Sequence, residues 1–424
     1  MIFFIQSMTK NLLKNKIKIV FLLGEFPKTT ETFILDQIIG LIDEGIDLKI
    51  IALNKSKEET IAKAISDYHL LKKTSYIKIP RNKKSRVLSG IVLFLKNFPK
   101  HPIKVMKSLN FFRYGKVALT LNPFYVNMFF MNMKEEFDII HCHFGQRGLY
   151  GAALKDIGIK GKLVTSFYGG DLSYFVKQTS KNIYSPLIKR GDLFLPLCGD
   201  FKNRLLRLGF QKEKIKVHHI GMDLDKFNKI KHNFRKKESV LLTIARVVEK
   251  KGHEYLIKAL PDIIKNHKNL KYLSVGDGEL KKSLLNLVRN LKLDKHVEFQ
   301  NTVSSDKLSE LYAKASIYVL PSHTTSDGDI EGTPASIIQA CASGLPIVST
   351  YHTGIPEIVK DKVTGFLVNE KDSKSLAEKI GYLINHPALM SKIGKRGREY
   401  VNKMYNKKIQ SKKLIKHYES LLER

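Results

Sequence analysis

Two cations and two polar side chains stand where the strands of an α/β protein would bring them together. In "LLTIARVVEKKGHEYLIKAL", Arg246 follows an apolar run and Lys251 stands at the approach to the next helical stretch. Cations at the carboxyl end of a strand, beside free helix amides, suit a diphosphate. Taken alone they also read as two solvated basic residues in a chain full of them. In "DIEGTPASIIQACASGLPIVST", Glu331 is expected on the first turn of a helix begun by Gly332, Thr333 and Pro334. Gln339 follows slightly more than two turns later, so both polar heads would look toward one place. The amides near Ala335 and Ser336 would hold an anion, Glu331 would accept hydrogen bonds from sugar hydroxyls, and Gln339 would bind a ribose. The plainer alternative is a helix start whose acid favours the dipole. Both segments at strand ends of one sheet favour a ligand.

The elements that must position these residues alternate along the chain. "IKIVFLLGEFP", "LKIIALN", "FDIIHCHFG", "GKLVTSFYGGD" and "DLFLPLCG" are short β-rich runs that stop at Gly or polar residues, with helix-like stretches between. After a charged stretch, "NKIKHNFRKKES", read as a linker, the theme restarts with "VLLTIARV", "LKYLSVGDG", "HVEFQN", "SIYVLPS", "PIVST" and "GFLV". Alternation of this kind implies parallel sheets wrapped by helices. The expected fold is therefore α/β: two Rossmann-like, doubly wound parallel-sheet domains facing a central cleft, with ligands at the carboxyl ends of the strands. The expected boundaries are 1–222, 223–395, and a basic helical segment 396–424 that packs back on the first domain.

With 424 residues the chain is too long for one core. Cys142, Cys198 and Cys341 lack metal-ligand spacing and read as reduced core residues. No apolar run reaches the roughly 18 residues of a spanning helix, and "MIFFIQSMTKNLLKNK" lacks the features of a secretory signal. A cytoplasmic protein is expected. The formal charge of +33 has two readings: a Lys-, Asn- and Ile-rich composition, or an anionic partner. Nucleic acid is not the expected partner, because no zinc-finger spacing, RNA-binding signature or helix-turn-helix accompanies the charge. The region 81–133 interleaves basic with aromatic and aliphatic residues. It reads either as helices packed on the first domain or as a surface for an anionic leaflet.

The second half resembles retaining glycosyltransferases of family 4, which have the GT-B fold. Their second lobe carries an Arg, a Lys about five residues on, and a Glu-x7-Glu motif followed by "G-x-P-(I/V)-V". Arg246, Lys251, Glu331 and "GLPIVST" match, as do "SVGDGEL", "IYVLPS" and "GIPEIVKDKVTGFLV". More loosely, "FPKTTETFILDQI", "IIHCHFG", "SFYGGDLS" and "YHTGIPEIV" resemble the subgroup that assembles exopolysaccharides of the colanic acid and amylovoran type.

The resemblance implies a donor site in which Arg246 and Lys251 bind the diphosphate and Glu331 the transferred sugar. Gly276, Gly332, Thr333, Ala335, Ser336 and Gln339 complete it. Gly24, His143, Tyr168 and Asp171 would face the acceptor in the first lobe. Two positions depart from the family pattern: Gln339 stands where the family has its second Glu, and Tyr168 where it has a His. An amide oxygen accepts a ribose hydroxyl bond without charge assistance, and a Tyr hydroxyl still donates or accepts one bond.

The implied activity is metal-independent transfer of a hexose from a UDP- or GDP-sugar co-substrate, without a further cofactor. The implied acceptor is a glycan or polyprenyl-diphosphate-linked intermediate of a surface polysaccharide. Attachment at the inner face of the cell membrane is implied with it. A fold that kept sugar binding and lost turnover is the alternative, and a nucleic-acid binder a more distant one. Asp327 and Asp329 in "DGD" could be read as a metal motif, but the matched family uses none there. His141 and His143 share a strand face without the further ligands zinc needs. No G-x-G-x-x-G marks a dehydrogenase.

Overall fold

The computed structural model describes residues 17–28, 31–56, 63–235, 238–304 and 307–423. The opening stretch examined for a secretory signal, and Lys236 and Lys237 of the charged stretch, lie outside the described residues.

The chain forms two units. One runs to His218 and resumes at Gln410; the other is His219–Ile409. In the first unit the strands are β1 (Lys18–Phe26), β2 (Asp47–Lys55), β3 (Thr74–Tyr76), β4 (Ile139–His143), β5 (Lys162–Phe167) and β6 (Leu193–Pro196). They pair in the order β3-β2-β1-β4-β5-β6, every pair parallel. The second unit holds β7 (Ser239–Ile244), β8 (Leu270–Val275), β9 (Val297–Gln300), β10 (Ile317–Leu320), β11 (Ile347–Thr350) and β12 (Gly365–Val368). Their order, β12-β11-β10-β7-β8-β9, is the same winding repeated.

Helices on both faces explain the unbroken apolar runs. Ile19, Val20, Phe21 and Leu22 of β1 are all fully buried, as the strand of a doubly covered parallel sheet must be. In each sheet the winding reverses beside the central strand, between β1 and β4 and between β7 and β10. Crevices at the carboxyl ends of such strands receive ligands. Both groups of candidate residues fall there.

The charged stretch read as a linker is fastened to the second unit instead. Ile230 is buried, its carbonyl accepts a hydrogen bond from Arg398 Nη2 at 2.6 Å, and His232 Nε2 donates to the Ser343 carbonyl at 3.0 Å. An apolar residue within a basic run supplies the anchor, and the change of unit falls four residues before the expected boundary. The carboxyl-terminal helices also divide differently. Met390, Ile393 and Val401 of Pro387–Met404 are buried, with Met390 and Ile393 in the second core. In Lys407–Leu422, the side chains of Leu414, Ile415, Tyr418 and Leu421 join the first core. The return to the first unit therefore begins at Gln410 rather than 396.

Candidate active site

The turn after β7 is held rigidly. Gly252 has φ +70°, and a Cβ there would stand 1.9 Å from the Pro321 carbonyl oxygen, so only glycine fits. His253 opens the helix α1 (His253–Ile264) and is buried, with Nε2 3.2 Å from the Arg246 carbonyl and Nδ1 3.1 Å from the Tyr272 hydroxyl. Burial pulls its pKa down to about 4; the Arg246 carbonyl opposes this and Lys251 adds to it. The neutral ring therefore donates from Nε2 to Arg246 and accepts from Tyr272. Gly276 closes the other side, since a Cβ there would meet the Ala245 carbonyl oxygen at 2.0 Å. With its backbone fixed, Arg246 projects into solvent, and its guanidinium has no partner among the described residues.

Across the switch point, Lys251 Nζ lies 2.7 Å from Glu331 Oε2, with the carboxylate side chain 15% exposed. Lys250 Nζ pairs with Asp329 Oδ2 at 2.8 Å and reaches the Ile330 carbonyl at 3.3 Å. Burial works to raise the Glu331 pKa, but Lys251 and then Lys250 outweigh it, and the carboxyl is held below its ordinary value. The backbone of Glu331 is fixed as well. Its N–H donates to His352 Nε2 at 3.0 Å, and the His352 Nδ1–H donates to Glu370 Oε1 at 2.6 Å. Thr353 donates its hydroxyl to the Glu331 carbonyl. A carboxylate gripped through side chain and backbone keeps one orientation.

Glu331 is not on a helix. The helix α2 spans Ala335–Ser343 with Pro334 at its N-cap, at φ −66° and ψ 112°. A residue preceding proline is driven out of the helical region, so Thr333 cannot extend the helix backward. Glu331 and Gln339 therefore do not share a helix face. The Gln339 Oε1 accepts from the Tyr312 hydroxyl at 3.1 Å, which is shared with the Ser336 carbonyl at 3.1 Å. Among the described residues, the N–H groups of Ala335 and Ser336 at the head of α2 and the hydroxyl of buried Thr333 have no partner. Gly332 is buried beside them, its carbonyl accepting from Thr353 at 3.2 Å.

The acids of the "DGD" loop are engaged: Asp327 accepts from the Thr325 hydroxyl, and Asp329 is paired with Lys250. A pocket lined by Phe234, Ser239, Leu270, Ser316 and Met390 opens at the opposite, amino ends of β7, β8 and β10 and contains none of the site residues.

In the first unit, His143 ends β4 fully buried, its Nδ1 2.8 Å from the Tyr168 hydroxyl and its Nε2 without a partner among the described residues. Burial, reinforced by Arg147, pulls its pKa down to about 3, and the ring is neutral. Gly24 of β1 lies against the Arg147 guanidinium, which a Cβ would approach to 2.9 Å. Asp171 is turned into the fold: 1% exposed, it accepts from the N–H groups of Gly145 at 2.9 Å and Gly169 at 2.8 Å. It fixes the loop after β5 and offers no free oxygen face to a ligand. Burial raises its pKa against the pull of those N–H bonds.

The sequence reading missed Arg147, Lys250, His352 and Glu370. Lys250 and Arg147 are single basic residues in a basic chain, and His352 acts through a contact between distant loops.

A family model described as "Glycosyltransferase Family 4" matches residues 30–226, and one described as "Glycosyl transferases group 1" matches residues 225–400. WcaL of Escherichia coli (strain K12), named for colanic acid biosynthesis, is 30% identical over 420 residues, spanning 95% of this chain and 100% of the relative. AmsK of Erwinia amylovora, named as an amylovoran biosynthesis glycosyltransferase, is 30% identical over 375 residues, spanning 85% and 89%. The chain belongs to glycosyltransferase family 4.

Its fold is that of the GT-B members of the family. HepE of Anabaena, solved in complex with UDP, matches with a TM-score of 0.70 at 16% identity, covering 95% of this chain and 100% of that one. A sucrose-phosphate synthase of Thermosynechococcus elongatus matches with a TM-score of 0.70 at 17% identity, covering 96% and 99%. In this family 4 chain, the Tyr168 hydroxyl lies 2.8 Å from Nδ1 of the neutral His143.

Proposed function

We propose that this glycosyltransferase moves a hexose, with retention of configuration, from a UDP- or GDP-sugar to a polyprenyl-diphosphate-linked surface polysaccharide intermediate. The observation that carries the reading is the pairing of Lys251 with Glu331 beside the unpartnered Arg246 and the open amino end of α2. These groups offer two cations and free N–H groups for a diphosphate and one oriented carboxylate for a sugar. The bond from the sugar C1 to the phosphate oxygen breaks, and the acceptor hydroxyl forms its bond on the same face. The leaving diphosphate takes the electron pair, and a phosphate oxygen takes the acceptor's proton, so no protein base is required. Arg246 and Lys251 stabilise the charge that develops. Metal independence follows from this division of labour and is part of the proposal. The names of WcaL and AmsK support an exopolysaccharide acceptor, and the HepE complex supports a uridine nucleotide.

The reading places the enzyme in the cytoplasm, at the inner face of the membrane. The helices Lys83–Asn97, Pro102–Ser108 and Phe111–Leu119 support it. Leu88, Val92, Leu95, Ile103, Met106 and Phe112 are exposed there, and residues 83–119 carry nine Lys and Arg and no Asp or Glu. Exposed apolar side chains ringed by cations suit an anionic lipid surface. No helix among the described residues is long and apolar enough to cross a membrane.

A thermal-shift screen of UDP-, GDP- and ADP-sugars, followed by transfer to a polyprenyl-diphosphate glycan, tests the reading. Stabilisation by one donor class with transfer is the expected result. Binding without transfer to any glycan acceptor would favour a protein that has lost turnover.

A further inference from the structure

We infer that the first unit carries an oxyanion site made by the Nε2–H of His143 and the guanidinium of Arg147, and that it takes a phosphate group. The inference begins with two tyrosine hydroxyls, each bonded to the Nδ1 of a buried histidine. The hydroxyl of Tyr418, in the terminal helix, lies 2.6 Å from His141 Nδ1, its one polar side-chain partner among the described residues. A buried O–H without an acceptor is costly, so Tyr418 donates and His141 Nδ1 accepts. Neutral His141 then carries its proton on Nε2 and donates to Ser166 Oγ at 2.8 Å. Tyr168 is a separate link: burial desolvates its hydroxyl, which lies 2.8 Å from His143 Nδ1 and by the same argument donates there. His143 therefore carries its proton on Nε2, which has no partner among the described residues.

Arg147 supplies the second donor. Its Nε is buried without an acceptor, and no acid pairs with it among the described residues. The nearby carboxylates are taken: Asp156 by Arg113 and Arg190, and Asp171 by backbone N–H groups. The guanidinium lies over the Phe144 ring, 5.3 Å from its centroid, and against Gly24, where any larger residue would push it aside. Two N–H donors, one of them a planar cationic fork, lack an acceptor at the carboxyl ends of β1 and β4. A tetrahedral oxyanion meets that demand. On the proposed function, on which this assignment of a source rests, the phosphate belongs either to the donor's diphosphate or to the acceptor's.

The test uses the full chain with ¹⁵N-labelled histidine and arginine, in an Arg246→Gln, Lys251→Gln background that removes the two cations assigned to the diphosphate in the second unit. The free protein should show the Nε2–H tautomer at His143, and inorganic pyrophosphate should shift the His143 and Arg147 Nε–H resonances saturably. Arg147→Gln should weaken that binding about ten- to a hundredfold, and Arg147→Lys should restore part of it. Tyr168→Phe, which removes the donor to Nδ1 and is checked for folding by melting, should populate the Nδ1–H tautomer. An Nδ1–H tautomer in the parent protein would overturn the inference. So would resonances indifferent to millimolar pyrophosphate, in which case a buried water completes the two donors. Neither readout needs sugar transfer, so both remain informative if the proposed activity fails. With Arg147→Gln in the otherwise native enzyme, a raised acceptor KM assigns the phosphate to the acceptor, and a raised nucleotide-sugar Kd assigns it to the donor. Movement of neither would count against the site.

Discussion

Lys251 and Glu331, on loops that follow β7 and β10, lie 2.7 Å apart, while Arg246 on the same turn has no side-chain partner among the described residues. The two cations are thus not equivalent. Lys251 orients the acid and is partly neutralised by it, whereas the full charge of Arg246 is available to an incoming phosphate.

Replacing Glu331 should therefore act on turnover rather than on donor binding. Glu331→Gln keeps the shape but gives up a charged hydrogen bond, worth about 1.5–3 kcal/mol, so kcat should fall roughly ten- to a hundredfold. Gln339→Glu keeps the oxygen that accepts from Tyr312 and should leave kcat near wild type, with a modest change in donor affinity. Steady-state kinetics of both variants checks this. A dead Gln339→Glu beside a fully active Glu331→Gln would reverse the two roles.

Much of this division was legible before any coordinates. Runs such as "SIYVLPS" and "PIVST" are almost continuously apolar, which marks strands of a covered parallel sheet, and each strand of the second sheet overlaps a run that the sequence marks as a strand. The edge strand β3 escaped because three partly exposed residues, Thr74 to Tyr76, carry no such signature. Glu331 lies outside the expected helix for a local reason: Pro334 drives the residue before it out of the helical region and so breaks the periodicity that links Glu331 to Gln339. The partners of Glu331 were invisible for a different reason. His352 meets its backbone, Glu370 holds His352, and Lys250 pairs with the neighbouring Asp329 only through the winding of the sheet, and no spacing in the sequence encodes those meetings.

Acid should loosen the fold earlier than carboxylate titration alone would. The pKa of His253 is pulled down to about 4 and that of His143 to about 3, from an ordinary value of 6.5. Below pH 6.5 the unfolded chain binds protons that the folded rings refuse, so stability falls as pH drops toward those values. Glu331 adds to the loss at lower pH: its folded pKa lies below the ordinary 4.5, and its stabilisation disappears as pH falls through that folded value. The melting temperature should decline steadily from pH 7 to pH 5. A flat profile over that range would show the histidines accepting protons in the native state.

Transfer should persist in excess chelator. Asp329 is already paired with Lys250, and Asp327 is bonded to Thr325, so the proposed site meets the diphosphate with Arg246, Lys251 and helix amides. Loss of activity in chelator with recovery on adding manganese would return the 327–329 loop to consideration as a metal site.

Vesicle flotation checks the surface formed by residues 83–119. Binding should require anionic lipid, weaken as salt rises, and drop in a Leu88→Ser, Val92→Ser, Leu95→Ser variant, whose altered side chains are exposed. Equal binding to neutral and anionic vesicles, or none to either, would leave those helices without the partner proposed for them.

The most direct measurement of the donor site is titration calorimetry of UDP and GDP against the wild-type protein and Arg246→Gln. Arg246 is exposed and without side-chain partners, so its loss should leave the fold intact. One of the two nucleotides should bind the wild type, with affinity falling about ten- to a hundredfold in the variant as a charge-assisted phosphate contact is lost. Equal affinity for both proteins, or no binding of either nucleotide to the wild type, would contradict a diphosphate site at the ends of β7 and β10.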